Sequence, residues 1–260
     1  MKSPIANSDF GLTADDYSKY RAGFPDSLFP KLKTLDIGTG KQKILDLGTG
    51  TGTLARGFAT SHNEVWGIDP AEEMLVAARK LDEALKLTIN YHVAPAENTG
   101  LTENQFDIVS AGQCWHWFEP KEASLEIKRL LKADGTFLAV YYDWLPLQGN
   151  VVKETETLIE CHNPDWKGGN QCGIHPTVFR DLGENGFYKL ESFTYDEPAI
   201  YTHEGWRGRI RASAGVGATM NHDQIQAFDT ELANLLTKKF SKEPLIVPHR
   251  VFVLTAKCKE

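Results

Sequence analysis

Seven consecutive residues, Asp46-Leu47-Gly48-Thr49-Gly50-Thr51-Gly52, put a carboxylate beside three glycines at alternate positions. Glycine has no Cβ, so backbone built from it can approach a ligand closely and adopt a positive φ. The apolar run Lys43–Leu47 leads into this loop and reads as a buried strand; residues 51–60 after it read as a helix. A helix start offers unpaired N–H groups and the positive end of a dipole. Asp69 closes a second apolar run, Glu64–Asp69, 21 residues after Gly48. A carboxylate in that place can accept hydrogen bonds from both hydroxyls of a ribose. Loop, strand and acidic residue at this spacing predict a nucleoside site.

The spacing also discriminates between nucleosides. The loop is Gly-x-Gly-x-Gly, whereas dinucleotide loops place the third glycine one residue later for close helix packing. Asp46 would repel a pyrophosphate, yet it suits an ammonium group, directly or through water. A ligand with a zwitterionic amino-acid end and no phosphate, such as S-adenosylmethionine, meets both conditions. A nicotinamide-dependent oxidoreductase is the competing enzyme class, and a non-catalytic cofactor-binding protein the competing non-enzyme.

Residues 44–52 with Val65-Trp-Gly-Ile-Asp69 resemble the first two motifs of the class I S-adenosylmethionine-dependent methyltransferases. Further segments follow in the family's order: Ala94-Pro-Ala-Glu97, Phe106-Asp-Ile-Val-Ser-Ala-Gly-Gln113 and Leu130-Leu-Lys-Ala-Asp-Gly-Thr136, where Ala133-Asp134 replace the usual Pro-Gly. Gln113-Cys-Trp-His-Trp-Phe118 and Tyr17-x-x-Tyr20-Arg21-x-x-Phe24-Pro25 are similar to segments of small-molecule members that include the trans-aconitate methyltransferases. The resemblance covers about residues 10–145. It implies that Gly48, Thr49, Gly50, Thr51 and Gly52, with Asp46, face the methionine part of the cofactor, and that Asp69 meets the ribose. Pro70, Met74, Ala96 and Glu97 would border the adenine, Gln113 would sit near the methionine end, and Tyr20 and Arg21 would lid the site.

A sulfonium is attracted to an aromatic face by ~0.5–2 kcal/mol. Trp115, Trp117, Phe118 and Tyr20 are candidates for that wall, with Trp117 also a candidate substrate contact; core filling is the alternative for Trp117 and Phe118. His116 is a candidate general base for a hydroxyl or carbon acid, or equally a structural histidine. A carboxylate acceptor would need no base, only a cationic clamp. Arg207, Arg209 and Arg211 are candidate clamps. Alternate positions on a helix do not share a face, so at most one or two can point inward; Arg209 is taken as the substrate residue. The resemblance suggests a carboxylate acceptor, with quinone or other carbon methylation as alternatives.

The elements that must hold these residues alternate between strand and helix. Strands are expected at Lys43–Leu47, Glu64–Asp69, 88–93, 106–111 and 136–142, with helices at 51–60, 71–85 and 120–132 between them. This alternation calls for a mostly parallel sheet. The fold expected is α/β, a Rossmann-like seven-stranded sheet with an antiparallel last strand, helices on both faces and a partial helical cap. Residues 1–30 read as an N-terminal arm with a short helix over 14–21, 41–144 as the cofactor-binding core, 145–175 and 200–240 as cap or substrate-side insertions, and 244–257 as a closing strand, all in a single domain over 1–260. Helices are expected at 151–161, 176–186, 204–213 and His222–Lys239, and strands at 187–198 and 250–257. Leu35-Asp-Ile-Gly-Thr-Gly40 repeats the loop's pattern but follows a polar stretch, and reads as a linker.

Composition narrows the partners. A net charge of −7 and a pI near 5.7 disfavour a nucleic-acid substrate. The four cysteines form no Cys-x-x-Cys pair, and the Cys161, His162, Cys172, His175 grouping matches no zinc spacing, so no metal is expected. That cysteine usage and the absence of a signal-peptide pattern at the start point to the cytoplasm. No apolar run approaches the ~20 residues of a membrane span. The expected partner is a small-molecule substrate, with the chain a monomer or homodimer.

Overall fold

The computed structural model describes residue 20 and residues 23–258. Arg21 and the expected helix over 14–21, Tyr20 excepted, lie outside the described residues. The chain divides into two compact units. A sheet unit takes Gly23–Tyr142, His175–Tyr195 and the chain from Val251 onward; a helical unit takes Asp143–Ile174 and Asp196–Arg250, with Tyr20.

The sheet unit opens with helix α1 (Leu28–Lys33), then β1 (Lys43–Leu47), α2 (Thr53–Ala59), β2 (Glu64–Asp69), α3 (Glu72–Leu85), β3 (Asn90–Val93), β4 (Phe106–Gly112), a 3₁₀ turn (Trp115–Trp117), α4 (Pro120–Leu130) and β5 (Leu131–Trp144). In chain order, α5 (Val151–His162) belongs to the helical unit, and α6 (Pro176–Glu184) and β6 (Phe187–Asp196) to the sheet unit. The helical unit resumes with β7 (Ala199–Tyr201), α7 (His203–Arg211), α8 (His222–Lys239) and β8 (Leu245–Val247), and β9 (His249–Cys258) returns to the sheet.

Seven strands form the main sheet in the order β3-β2-β1-β4-β5-β9-β6, mostly parallel with an antiparallel last strand and helices on both sides. β1 pairs in parallel with β2 on one side, Leu47 opposite Ile68, and with β4 on the other, Leu47 opposite Ala111. The chain order reverses between β1 and β4. In open sheets of this kind the crevice beyond the carboxyl ends of the strands at such a reversal receives the ligand. The central strands are buried on both faces, which explains their nearly continuous apolar runs. One core cluster packs Leu45, Leu47, Val109, Ala111, Phe137 and Tyr141 of the sheet against Ile127 and Leu130 of α4 and Val178 and Leu182 of α6.

Four elements differ from the sequence expectation. α1 was not expected, because Pro25 and Pro30 suggested an open arm. Pro30 is the third residue of the helix, where a missing N–H costs nothing. Leu28 and Leu32, one turn apart, are fully buried, and Phe29 meets Phe58 edge to face with ring centroids 5.6 Å apart. The turn expected at Asp134-Gly135 does not end an element. Leu131 pairs with Phe106 and Thr136 with Ile108, so residues 132–135 form an irregularity within a longer β5. β7 and β8 are only three residues each, too short for alternation to register. Residues 35–40 connect α1 to β1, with the Gly38 and Thr39 N–H groups donating to Gln42 Oε1.

The helical unit has its own core of Trp206, Ile210, Val216, Phe228, Leu232 and Leu236, with Val152 and Ile159 from α5. Its helices start on polar caps: Asn150 accepts from Lys153 N–H, Thr202 from Gly205 N–H, and Asn221 and Gln224 close a reciprocal capping box. The segments expected as cap or insertion fall mostly in this unit. Among the described residues no helix is long and apolar enough to cross a membrane.

Candidate cofactor site

The glycine loop after β1 runs through three left-handed residues, with φ of +59° at Gly48, +55° at Gly50 and +80° at Gly52. Their surroundings differ. A Cβ on Gly48 would lie 3.0 Å from Cys114 Sγ, and one on Gly52 would lie 2.4 Å from Tyr91 Oη and 2.9 Å from Arg56 Nη1. A Cβ on Gly50 would meet nothing within 4 Å. Gly48 and Gly52 are glycine because protein presses on them; Gly50 turns toward open space, where a ligand has room.

The loop is held from below and from the side. Asp46, at 1 % exposure, accepts the Thr49 hydroxyl on Oδ2 at 2.7 Å and the Ser110 hydroxyl on Oδ1 at 2.8 Å. Burial pushes its pKa up to about 6, against the lowering effect of those two bonds. Thr49 N–H donates to Ile68 O at 2.9 Å, tying the loop to β2. Asp69, half-buried at the end of β2, accepts Gly50 N–H on Oδ2 at 2.9 Å and Ala71 N–H on Oδ1 at 3.0 Å. Its pKa is also raised, chiefly by burial. Each carboxylate oxygen has two acceptor sites, so Asp69 keeps one per oxygen for a vicinal diol. Arg56 braces the outer side, donating to Thr51 O at 2.6 Å and pairing with Asp82 at 3.2 Å.

The other predicted cofactor residues of the sheet unit fall on connections at the carboxyl ends of its strands or beside them. Pro70 is exposed at the turn into α3, and Met74 is buried on that helix. Ala96 is buried in the segment after β3. Glu97 accepts Glu119 N–H at 2.9 Å, just before α4. Gln113 adopts φ +58°, unusual for a residue with a Cβ, with its N–H donating to Val140 O at 2.8 Å and its side-chain amide to Tyr142 O. It therefore ties the ends of β4 and β5 together.

The aromatic segment after Gln113 separates into different roles. Trp115 is 2 % exposed, packs against Phe118 and Phe137, and donates its indole N–H to Asp181 Oδ2 at 3.1 Å. It anchors the core, with its polar handle already used. Trp117 is 40 % exposed, and exposed His116 lies beside it at 4.8 Å between ring centroids. His116 is also 6.4 Å from Tyr141, which stacks on His175 at 3.6 Å.

Tyr20 and Arg209 lie in the helical unit. Tyr20 covers Gly208 of α7, where an added Cβ would fall 2.2 Å from its ring. Among the three arginines of α7, Arg207 and Arg211 both bind Asp229 and Glu204. Arg209 points elsewhere, over the ring of Trp144 at 4.8 Å. His162 pairs with Glu231 at 3.4 Å, while Cys161 and Cys172 are exposed free thiols. Among the described residues no three His, Cys, Asp or Glu side chains gather as a metal site.

Two supports of the site escaped the sequence reading. Tyr91 fills the space that Gly52 and Gly67 leave open, and the period-two pattern around it could only have marked it as a strand residue. Glu126 of α4, almost buried, accepts both the N–H and the hydroxyl of Thr99, at 2.9 and 2.5 Å, and pairs with Arg129 at 2.7 Å. It fixes the segment carrying Ala96 and Glu97. A Glu three residues before an Arg on a helix looks like a surface pair in sequence, so nothing singled it out.

Comparison with known proteins agrees with this geometry. Residues 45–139, all within the sheet unit, match the methyltransferase domain family. An uncharacterized methyltransferase of Mycobacterium tuberculosis is 32% identical over 126 residues, 48% of this chain and 49% of that one. One from Schizosaccharomyces pombe is 31% identical over 127 residues, again 48% and 49%. The match thus spans about half the length of these curated relatives. Among solved structures, a candidate type II methyltransferase from Anaeromyxobacter dehalogenans superposes with a TM-score of 0.66 at 21% identity, covering 91% of this chain and 97% of that one. A Haemonchus contortus phosphoethanolamine N-methyltransferase, solved with S-adenosylhomocysteine, gives 0.56 at 18% identity, covering 97% and 58%. At these identities the superpositions show the fold. The matched segment, residues 45–139, is similar to a methyltransferase domain and contains the glycine loop and Asp69.

Proposed function

We propose that the protein transfers a methyl group from S-adenosylmethionine to a small-molecule acceptor. The observation that carries this reading is the coupling of the Gly50 turn, which faces open space, to Asp69, whose carboxylate oxygens keep acceptor capacity for a ribose. When bound, S-adenosylmethionine supplies a methyl group already activated on a cationic sulfur. The residues of this chain have to position and shield. Asp69 takes the ribose hydroxyls, the loop backbone faces the amino-acid end, and Met74, Pro70 and Ala96 border the base. Gln113 holds the strand ends that frame the reacting centre. Direct displacement needs the acceptor in line and close, so positioning supplies much of the rate. The net charge of −7 supports a small molecule over a nucleic acid as acceptor. The free thiols of Cys161 and Cys172 support a reducing, cytoplasmic setting.

The test is thermal unfolding with S-adenosylmethionine, S-adenosylhomocysteine and NAD in parallel, followed by transfer of labelled methyl to candidate acceptors. A ligand at 100 times its Kd adds about 2.7 kcal/mol. Stabilisation by the two sulfur nucleosides is expected; stabilisation by NAD alone overturns the reading.

A further inference from the structure

The exit of the glycine loop has a conformational choice that the loop itself does not make. Gly52 sits at φ +80° and ψ +22°, just before α2 begins at Thr53. A glycine accepts positive and negative φ almost equally, so the Thr51–Gly52 peptide could turn over at little cost. Contacts from outside must therefore select its orientation. Both ends of this peptide are held. The Gly52 N–H donates to Thr49 O at 2.9 Å, across the loop. The Thr51 carbonyl lies ahead of the helix and accepts from Arg56 Nη1 at 2.6 Å. The Arg56 backbone N–H donates to Gly52 O at 2.9 Å, so the same residue grips two successive carbonyls.

Arg56 is itself anchored. Its guanidinium pairs with Asp82 Oδ1 of α3 at 3.2 Å, and the two side chains are only 13 % and 6 % exposed. Solvent screens such a pair little, and the planar guanidinium fixes the direction of each donor. Tyr91 of β3 closes the back of the arrangement. A Cβ on Gly52 would fall 2.4 Å from its hydroxyl and 3.5 Å from Ala78 Cβ of α3. Burial, together with the Asp82 charge, holds the Tyr91 hydroxyl protonated well above its ordinary range, so it remains a neutral donor beside that carboxylate. Arg79 of α3 covers the Tyr91 ring at 5.7 Å and pairs with Glu72 at 3.3 Å. The glycine loop is thus fastened to α3 and β3 through one guanidinium. Asp69 fastens the Gly50 turn separately, from the end of β2.

We propose that Arg56, anchored on Asp82, is a positioning residue for the amino-acid end of the cofactor: it locks the Thr51–Gly52 peptide in the one orientation in which the loop backbone receives that end. This rests on the methyltransferase reading. Arg56 acts through the loop and has no part in holding the nucleoside, which falls to Asp69.

The experiment compares two ligands that share the nucleoside and the sulfur. S-Adenosylhomocysteine carries the amino-acid end, and 5′-methylthioadenosine lacks it. Both are titrated calorimetrically into the full chain as wild type, Arg56→Met, Arg56→Lys and the double variant Arg56→Met with Asp82→Asn. The double variant leaves no buried carboxylate without its counter-charge, which guards against a loss of folding. The Tm is recorded for every sample. S-Adenosylhomocysteine affinity should fall at least about fivefold in Arg56→Met and in the double variant, and recover in part in Arg56→Lys. Methylthioadenosine affinity should change by less than about twofold throughout. A merely structural role for Arg56 would lower the Tm and move both ligands alike. An equal loss for both ligands, or unchanged S-adenosylhomocysteine affinity in Arg56→Met, overturns the proposal and leaves the methyltransferase reading standing. Failure of the wild type to bind either ligand overturns that reading, and the proposal with it.

Discussion

Asp69 accepts the Gly50 backbone N–H at 2.9 Å, so the acid at the end of β2 and the turn after β1 form one assembly. Asp69 has two tasks: it shapes the loop and it keeps acceptor capacity for a ligand. Asp69→Ala removes both. Hydrogen bonds to charged groups are worth about 1.5–3 kcal/mol each, so loss of the ribose contacts should weaken S-adenosylhomocysteine binding at least tenfold. Asp69→Asn keeps one carbonyl acceptor and should fall between Ala and wild type. Calorimetric titration of the three proteins checks the order; equal affinity in all three would remove Asp69 from the site.

The glycines of the loop should divide by neighbour. Each has φ above +50°, where any Cβ costs about 1–2 kcal/mol. Gly52→Ala adds a collision with Tyr91 Oη and Arg56 Nη1, so it should lower the Tm clearly more than Gly50→Ala. Gly50→Ala places its methyl in open space, and should fold yet lose cofactor affinity. Tyr91→Phe removes the atom nearest that collision and should recover part of the Gly52→Ala loss. Thermal unfolding of the single and double variants, with cofactor titration, separates the two effects.

The uneven legibility of these residues in sequence has a physical basis. Gly48, Gly50, Gly52 and Asp69 stood out because their task is set by local backbone geometry, which spacing encodes. The sheet was readable for a similar reason: strands buried on both faces carry unbroken apolar runs. α1 was hidden because its evidence is two buried leucines and a phenylalanine against Phe58, a partner about thirty residues away. Glu126 and Tyr91 were hidden likewise. Each matters through what it touches across the fold, Thr99 in one case and the Cβ-less Gly52 and Gly67 in the other. Trp115 shows the converse: its place in a family-like motif suggested a ligand wall, and its contacts with Phe137 and Asp181 put it in the core.

Glu126 should behave as a positioning residue. Its carboxylate holds Thr99 by two bonds and Arg129 by a third and fourth. Glu126→Ala leaves the buried Thr99 N–H without that acceptor, at a cost of about 1–3 kcal/mol. The loosened segment carries Ala96 and Glu97, so KM for S-adenosylmethionine should rise several-fold with kcat nearly kept. Glu126→Gln, which keeps one carbonyl oxygen for Thr99, should restore most of the KM. Steady-state kinetics on both variants check this; a fall in kcat alone would assign Glu126 a different task.

The two strongly shifted buried groups predict opposite pH behaviour. Asp46 has an ordinary pKa of 3.8 and a folded value of about 6, raised by burial. As pH rises from about 4 to 6 the unfolded chain releases this proton first, and the folded chain holds it. The folded state therefore binds more protons, and its stability falls with rising pH across that window, then levels off. At 1.36 kcal/mol per unit the change is about 3 kcal/mol. His249 runs the other way, from 6.5 unfolded to about 4 folded, again because of burial. Between those values the unfolded chain binds more protons, so stability rises with pH by a similar amount. Asp46→Asn should make the stability profile between pH 4 and 6 rise more steeply than in the wild type. His249→Gln should make it flatter or falling between pH 4 and 6.5. Urea unfolding at half-unit steps from pH 4 to 7.5 measures both slopes. An unchanged slope in Asp46→Asn would mean that the carboxyl beneath the glycine loop titrates as it would in water, and that burial does not set its charge.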